Sequence, residues 1–131
     1  MRWTLLSLTL LTLTLLCAYA AADPRSHYMI HCMGCHLNDG RGLPPEVPAF
    51  DNRLAILAAS DKGREYLVTV PGASQSLIDD AALASVLNWI LDTYTEEPVH
   101  QPFLASEISR YRHTPLTNPA HLRDELLGAA D

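Results

Sequence analysis

The clearest periodicity in the chain lies over 79–94, where Leu83, Val86, Leu87, Ile90 and Leu91 recur at helical spacing on one face behind Asp79. The pattern predicts a core helix capped by Asp79 and ending near Tyr94. Asp23-Pro24 opens an earlier helix, with Asp as N-cap and Pro at the first helical position, and the helix carries through Tyr28 into the segment 32–36. The stretch 37–50 is rich in Gly and Pro, with Asn38-Asp39-Gly40 as a turn signal, and reads as a loop. A short apolar stretch over 54–59 follows. Ser60-Asp61 then caps a helix through Glu65, Tyr66 and Leu67, which Gly63 weakens and Pro71-Gly72 ends. After Thr95 the composition turns to Pro, His, Arg and Glu, which suggests a tail laid over the domain rather than a second core. Within that tail Ser106 can cap a short helix to Tyr111, and Asn118-Pro119 opens another ending near Gly128. The expected class is all-α.

The first residues follow a different logic. Arg2 precedes an uncharged Leu/Thr run over 5–17, and Ala18-Tyr19-Ala20 offers small residues where a signal peptidase reads them. A secretory signal over 1–20 is expected, with cleavage after Ala22 as the alternative. The run is shorter than the roughly 20 apolar residues that span a bilayer, so no stable membrane anchor is expected. Leu16 is too bulky to precede a lipidated Cys17. The remaining chain divides into a domain over 21–94 and a C-terminal extension over 95–131.

Cys32-Met33-Gly34-Cys35-His36 carries the chemistry. Cys-x-x-Cys-His is the pattern by which a chain attaches haem covalently and ligates its iron. Two thiols one helical turn apart can add to the two vinyl groups on one porphyrin edge, and the following imidazole reaches the iron. A zinc site would need a second pair of soft ligands, and the only other cysteine, Cys17, falls in the expected signal. A thioredoxin-like exchange site would sit at the end of a strand, whereas the surroundings here are helical. One haem c, held by Cys32 and Cys35 with His36 as iron ligand, is therefore the expected cofactor. The formal net charge of −6 disfavours nucleic acid as a partner and suits either docking on a basic patch of a redox protein or plain solubility.

With the motif in view, the chain resembles the class I monohaem cytochromes c of bacteria. Tyr28 in Tyr-x-x-His-Cys-x-x-Cys-His matches that family's aromatic on the N-terminal helix, and Trp89 falls where the family places one on the C-terminal helix. The resemblance implies that these two helices cross near the pair and close the fold around the haem. His36 to Gly42 and then Pro48-Ala49-Phe50 look like the family's loop on the proximal side. By that match the Pro48 carbonyl accepts a hydrogen bond from the second ring nitrogen of His36, with Pro44 or Pro45 as alternatives, and Phe50 packs on the haem edge. The resemblance covers roughly 24–94. It implies a periplasmic protein, since covalent haem attachment takes place outside the cytoplasm.

One family feature is missing. A methionine before the C-terminal helix usually supplies the sixth iron ligand, yet no methionine follows His36, and Val70 stands where one is expected before Pro71-Gly72. Met29 and Met33 read as core packing and His31 as a surface or structural histidine. The distal ligand is left to a tail histidine (His100, His113 or His121), to Lys62, Tyr66 or water, or to no group at all. The leading functional reading is a periplasmic single-electron carrier, or the small cytochrome subunit of a dehydrogenase, with a periplasmic dehydrogenase as the expected redox partner. A haem-based gas-binding or sensor protein is the alternative, and a peroxidase-like enzyme would need distal acid and base groups that the sequence does not place.

Overall fold

A computed structural model describes residues 23–96 and 101–128. The expected signal segment and His100 lie outside the described residues. Among the described residues the regular elements are helices, joined by loops that include one isolated bridge between Leu43 and Val47. In chain order they are α1 (Pro24–His31), α2 (Met33–His36), α3 (Arg53–Ala58), α4 (Asp61–Thr69), α5 (Pro71–Ser74), α6 (Asp80–Tyr94), α7 (Ala105–Tyr111) and α8 (Pro119–Gly128).

Side-chain caps explain the starts of three helices. The Asp79 carboxylate accepts from the Ala82 N–H at 2.8 Å and starts α6. The Ser60 hydroxyl accepts from the Gly63 N–H at 3.1 Å and starts α4, and Asn118 accepts from the His121 N–H at 3.4 Å at the start of α8. Asp23 occupies the N-cap position of α1, but its side chain makes no capping bond there; Pro24 begins the helix. α7 starts at Ala105, with Leu104 rather than Ser106 in the capping position.

α6 is the central element. Leu83, Val86, Ile90 and Leu91 are buried and Leu87 partly so, as the periodicity requires. α1 packs across it, and the Tyr28 ring lies 5.1 Å from that of Trp89 at 47°. That is the crossing which the resemblance implied. Met29, by contrast, is half exposed on the outer side of α1, which buries Tyr28 instead; only Met33 packs against the core.

Gly63 is a necessity rather than a weakness in α4. A Cβ built there would lie 2.0 Å from the Leu57 carbonyl oxygen, so the tight approach of α3 to α4 depends on its absence.

The extension joins the same core rather than lying over it. Phe103 and Ile108 are buried, α7 packs on α6 and α4, and α8 packs on α4 and α3. Polar groups hold it in register. Asn88 accepts from the Phe103 N–H at 2.7 Å and donates to its carbonyl at 3.0 Å, while the Leu116 N–H donates to the Thr69 carbonyl at 2.9 Å. Arg112 donates to the carbonyls of Ser76 and Ile78 at 2.8 and 2.9 Å and to the Asp80 carboxylate at 2.8 Å, tying α7 to the turn before α6.

Candidate functional site

The site begins at a kink. Cys32 leaves helical geometry between α1 and α2 with φ −122°, yet its carbonyl still accepts from the N–H groups of Cys35 and His36 at 3.2 and 3.0 Å. The two cysteines therefore stay one turn apart, with their thiols not joined to each other. Burial, and secondarily the neighbouring Cys35, pushes the Cys32 thiol up to about 11. A thiol of that kind is protonated at neutral pH, the reverse of the depressed values that activate cysteines for disulfide exchange.

His36 closes α2, and the chain then turns sharply through Leu37, which is at φ 63° and ψ 177°. A leucine there is strained, because that region suits glycine. The Tyr28 hydroxyl donates to the Leu37 carbonyl and anchors the turn from α1. The loop then folds back on itself: the Gly42 N–H donates to the His36 carbonyl at 3.2 Å and the Phe50 N–H to the Gly40 carbonyl at 2.7 Å. Gly40 at φ 72° is required twice over, since a Cβ would also meet the Tyr94 ring at 2.6 Å.

Phe50 consequently lies face to face with His36, ring centroids 3.9 Å apart and planes within 15°. The His36 pKa is lowered, chiefly by burial, and the Pro48 backbone carbonyl beside it works in the opposite sense. Its Nδ1 atom is buried and lacks a hydrogen bond of good geometry.

All five candidate residues, Cys32, Cys35, His36, Pro48 and Phe50, line one cavity of about 460 Å³. The remaining wall is drawn from distant parts of the chain. α4 gives Tyr66 and Leu67, α6 gives Leu83, Val86 and Leu87, and Val70 lines it at the turn between α4 and α5. His31 also reaches the wall and stacks on His27 at 6.0 Å. Of the three candidate prolines Pro48 alone does so; Pro44 and Pro45 are exposed. Lys62, His113 and His121 are exposed and do not line the cavity.

The extension contributes wall residues that the sequence reading did not assign to the site: Phe103, then Arg123 and Leu127 on α8, and Asn118, read from the sequence only as a helix start, just before it. Arg123 and Leu127 stand four apart on one helix face, and this spacing was the available signal.

The donor set and the cavity suit a flat, mostly apolar prosthetic group with a central metal. The volume falls in the range of roughly 300–1,000 Å³ typical of cofactor sites. Two unlinked thiols and a half-buried imidazole whose Nδ1 is buried and unpaired share one wall, and aliphatic side chains supply most of the others.

No family model matches the chain. It is similar to the protein named cytochrome c-552 from one strain of Thermus thermophilus, at 30% identity over 121 residues, covering 76% of this chain and 81% of that protein. A second cytochrome c-552 from Thermus thermophilus is 29% identical over 107 residues, covering 66% of this chain and 82% of the relative. The first match is longer than 24–94, so the likeness is not confined to the span that the motifs marked. With that likeness, the helical fold and the Cys-x-x-Cys-His turn on the cavity wall, the chain belongs to the cytochrome c family, whose prosthetic group is covalently bound haem c.

Proposed function

We propose that the protein is a periplasmic carrier of single electrons, in which Cys32 and Cys35 form the two thioethers to haem c and His36 is the proximal iron ligand. The observation that carries this reading is the convergence of those three residues, with Pro48 and Phe50, on one wall of an apolar cavity in a chain of this family. When bound, the group supplies a one-electron iron couple. The chain's part is to hold, orient and shield it.

The roles follow from the local geometry. Phe50, stacked on the His36 ring, restricts rotation of the imidazole, and the Pro48 carbonyl is the acceptor suited to its second nitrogen, which would fix the tautomer and raise ligand basicity. Tyr28 and the Leu37 turn fix the direction in which His36 leaves the helix. The aliphatic wall from α4 and α6 excludes water, which together with the axial ligands sets the potential. Cys35 and Gly34 are exposed, which leaves the attachment edge near solvent and gives an electron a short way out to a partner. The partner would be a redox protein such as a periplasmic dehydrogenase, and the acidic balance of the chain suits a basic docking face on it. Among the described residues no helix is long and apolar enough to cross a membrane.

The test is the alkaline pyridine spectrum of the denatured, precipitated mature protein. A retained haem with a c-type band supports the assignment, and haem that washes out sinks it. Cys35→Ala is expected to leave a single thioether or lose the group, and His36→Ala to abolish the spectral signature of a histidine-ligated iron. A wild-type covalent spectrum from either variant would contradict the roles given to them.

A further inference from the structure

The turn between α4 and α5 lies on the cavity wall with its backbone fixed. Val70 is extended, at φ −56° and ψ 139°, as a residue preceding proline must be. Its N–H donates to the Tyr66 carbonyl at 3.1 Å, and its own carbonyl accepts from Ala73 and Ser74 at 2.9 Å each. With Leu67 and Tyr66 it forms a wall patch carrying no nitrogen or sulfur donor. Among the described residues the other nominated donors, Lys62, His113 and His121, are exposed and do not line the cavity; the histidine that lines it besides His36 is His31, at the end of α1 next to Cys32.

Tyr66 is the polar side chain of this patch and is 5% exposed. Burial raises its pKa, so the phenol stays neutral, a weak iron ligand but a competent hydrogen-bond donor. Arg123 also lines the cavity, but its charge is offset by Asp124 at 3.3 Å. An apolar patch with one neutral hydroxyl favours a small uncharged guest over an anion, whose desolvation would go uncompensated.

We propose that the iron position opposite His36 takes a neutral diatomic ligand of the CO or NO kind, in the pocket formed by Tyr66, Leu67 and Val70, with the Tyr66 hydroxyl as its hydrogen-bond donor. This rests on the haem assignment above.

The experiment is CO titration of the dithionite-reduced mature holoprotein, followed by optical and infrared spectroscopy. CO is expected to shift the reduced spectrum at micromolar concentrations. Val70→Met, which sets a thioether on the same fixed backbone position, should weaken that response at least tenfold. Tyr66→Phe should raise the C–O stretching frequency without removing binding, a readout that a merely structural role would not move. A wild-type spectrum indifferent to CO, with the haem still covalent, overturns the inference, and recovery of CO binding in His100→Ala would then identify the competing ligand. A Val70→Met protein with undiminished CO affinity, or a Tyr66→Phe protein with an unshifted stretch, overturns the placement of the pocket. Absence of covalent haem is a different failure, since it overturns the assignment on which the inference rests.

Discussion

The Tyr28 hydroxyl stabilises a turn that its neighbours alone would not adopt. Leu37 is the one non-glycine residue with positive φ among those described, a conformation costing about 1–3 kcal/mol, and its carbonyl is held by the Tyr28 hydroxyl. Tyr28→Phe is therefore expected to cost about 1–2 kcal/mol, the penalty of leaving a half-buried acceptor without its partner, and chemical denaturation of the holoprotein measures it. A pH dependence follows with a definite sign. Burial, then the neighbouring Tyr94, raises the Tyr28 pKa above its ordinary 10.0, and burial raises that of Tyr66 in the same sense. The folded state thus binds protons that the unfolded state has released. This stability is complete below pH 10 and falls as the pH climbs past that value. Denaturation midpoints followed from pH 8 to 11 should drop above about 10, and less steeply in Tyr28→Phe. The aromatic pairing of Tyr28 with Trp89 was expected from the resemblance alone, since nothing local in either helix says that the two rings meet. Met29 was misjudged for a physical reason: a helix of eight residues has one buried stripe, and Tyr28 takes it.

Among the elements, α4 shows where local propensity and packing disagree. Propensity favours Ala over Gly in a helix by about 1 kcal/mol, so Gly63→Ala would stabilise an isolated α4. In the fold the added methyl carbon would sit 2.0 Å from the Leu57 carbonyl oxygen, and backbone cannot swing aside as a flexible side chain can. Gly63→Ala is expected to lose about 1–3 kcal/mol, typical of overpacking. Gly128 is the control: nothing lies within 4 Å of its built Cβ, it is exposed and does not line the cavity, and Gly128→Ala should be neutral or gain up to about 1 kcal/mol. Thermal unfolding of the two variants side by side decides the matter; equal behaviour would mean that α3 and α4 do not approach as described. The caps at Ser60, Asp79 and Asn118 could be read in advance because each satisfies its own helix. Gly63 could not, since its reason lies in a neighbouring helix.

The same distinction holds for the whole molecule. Cys32, Cys35 and His36 could be nominated because the motif's covalent logic fits within five residues, whereas Pro48 and Phe50 came from the resemblance alone; all five line one cavity. The far wall is assembled from α4, α6 and α8, and no local pattern announces that Arg123 or Leu127 will meet the same cavity as Cys32. A further tie between the extension and the domain is the buried Arg64, 4% exposed, whose guanidinium donates to Glu107 at 2.7 and 2.6 Å and to the Gln101 and Pro102 carbonyls at 2.7 and 3.2 Å, over the Phe103 ring at 4.0 Å. Removing Glu107 would leave that charge buried with fewer partners. Breaking a buried pair costs roughly 3–5 kcal/mol, and the lower end applies because the Glu107 side chain is 20% exposed and the carbonyl bonds survive. Glu107→Ala should therefore unfold at distinctly lower denaturant, while Arg64→Met with Glu107→Ala should recover much of the loss because no charge is then stranded. Below its unfolding transition the Glu107→Ala holoprotein should keep the wild-type optical spectrum, since neither Arg64 nor Glu107 lines the cavity. A spectral change in the still-folded variant would mean that the Arg64 link reaches the haem environment as well as the fold.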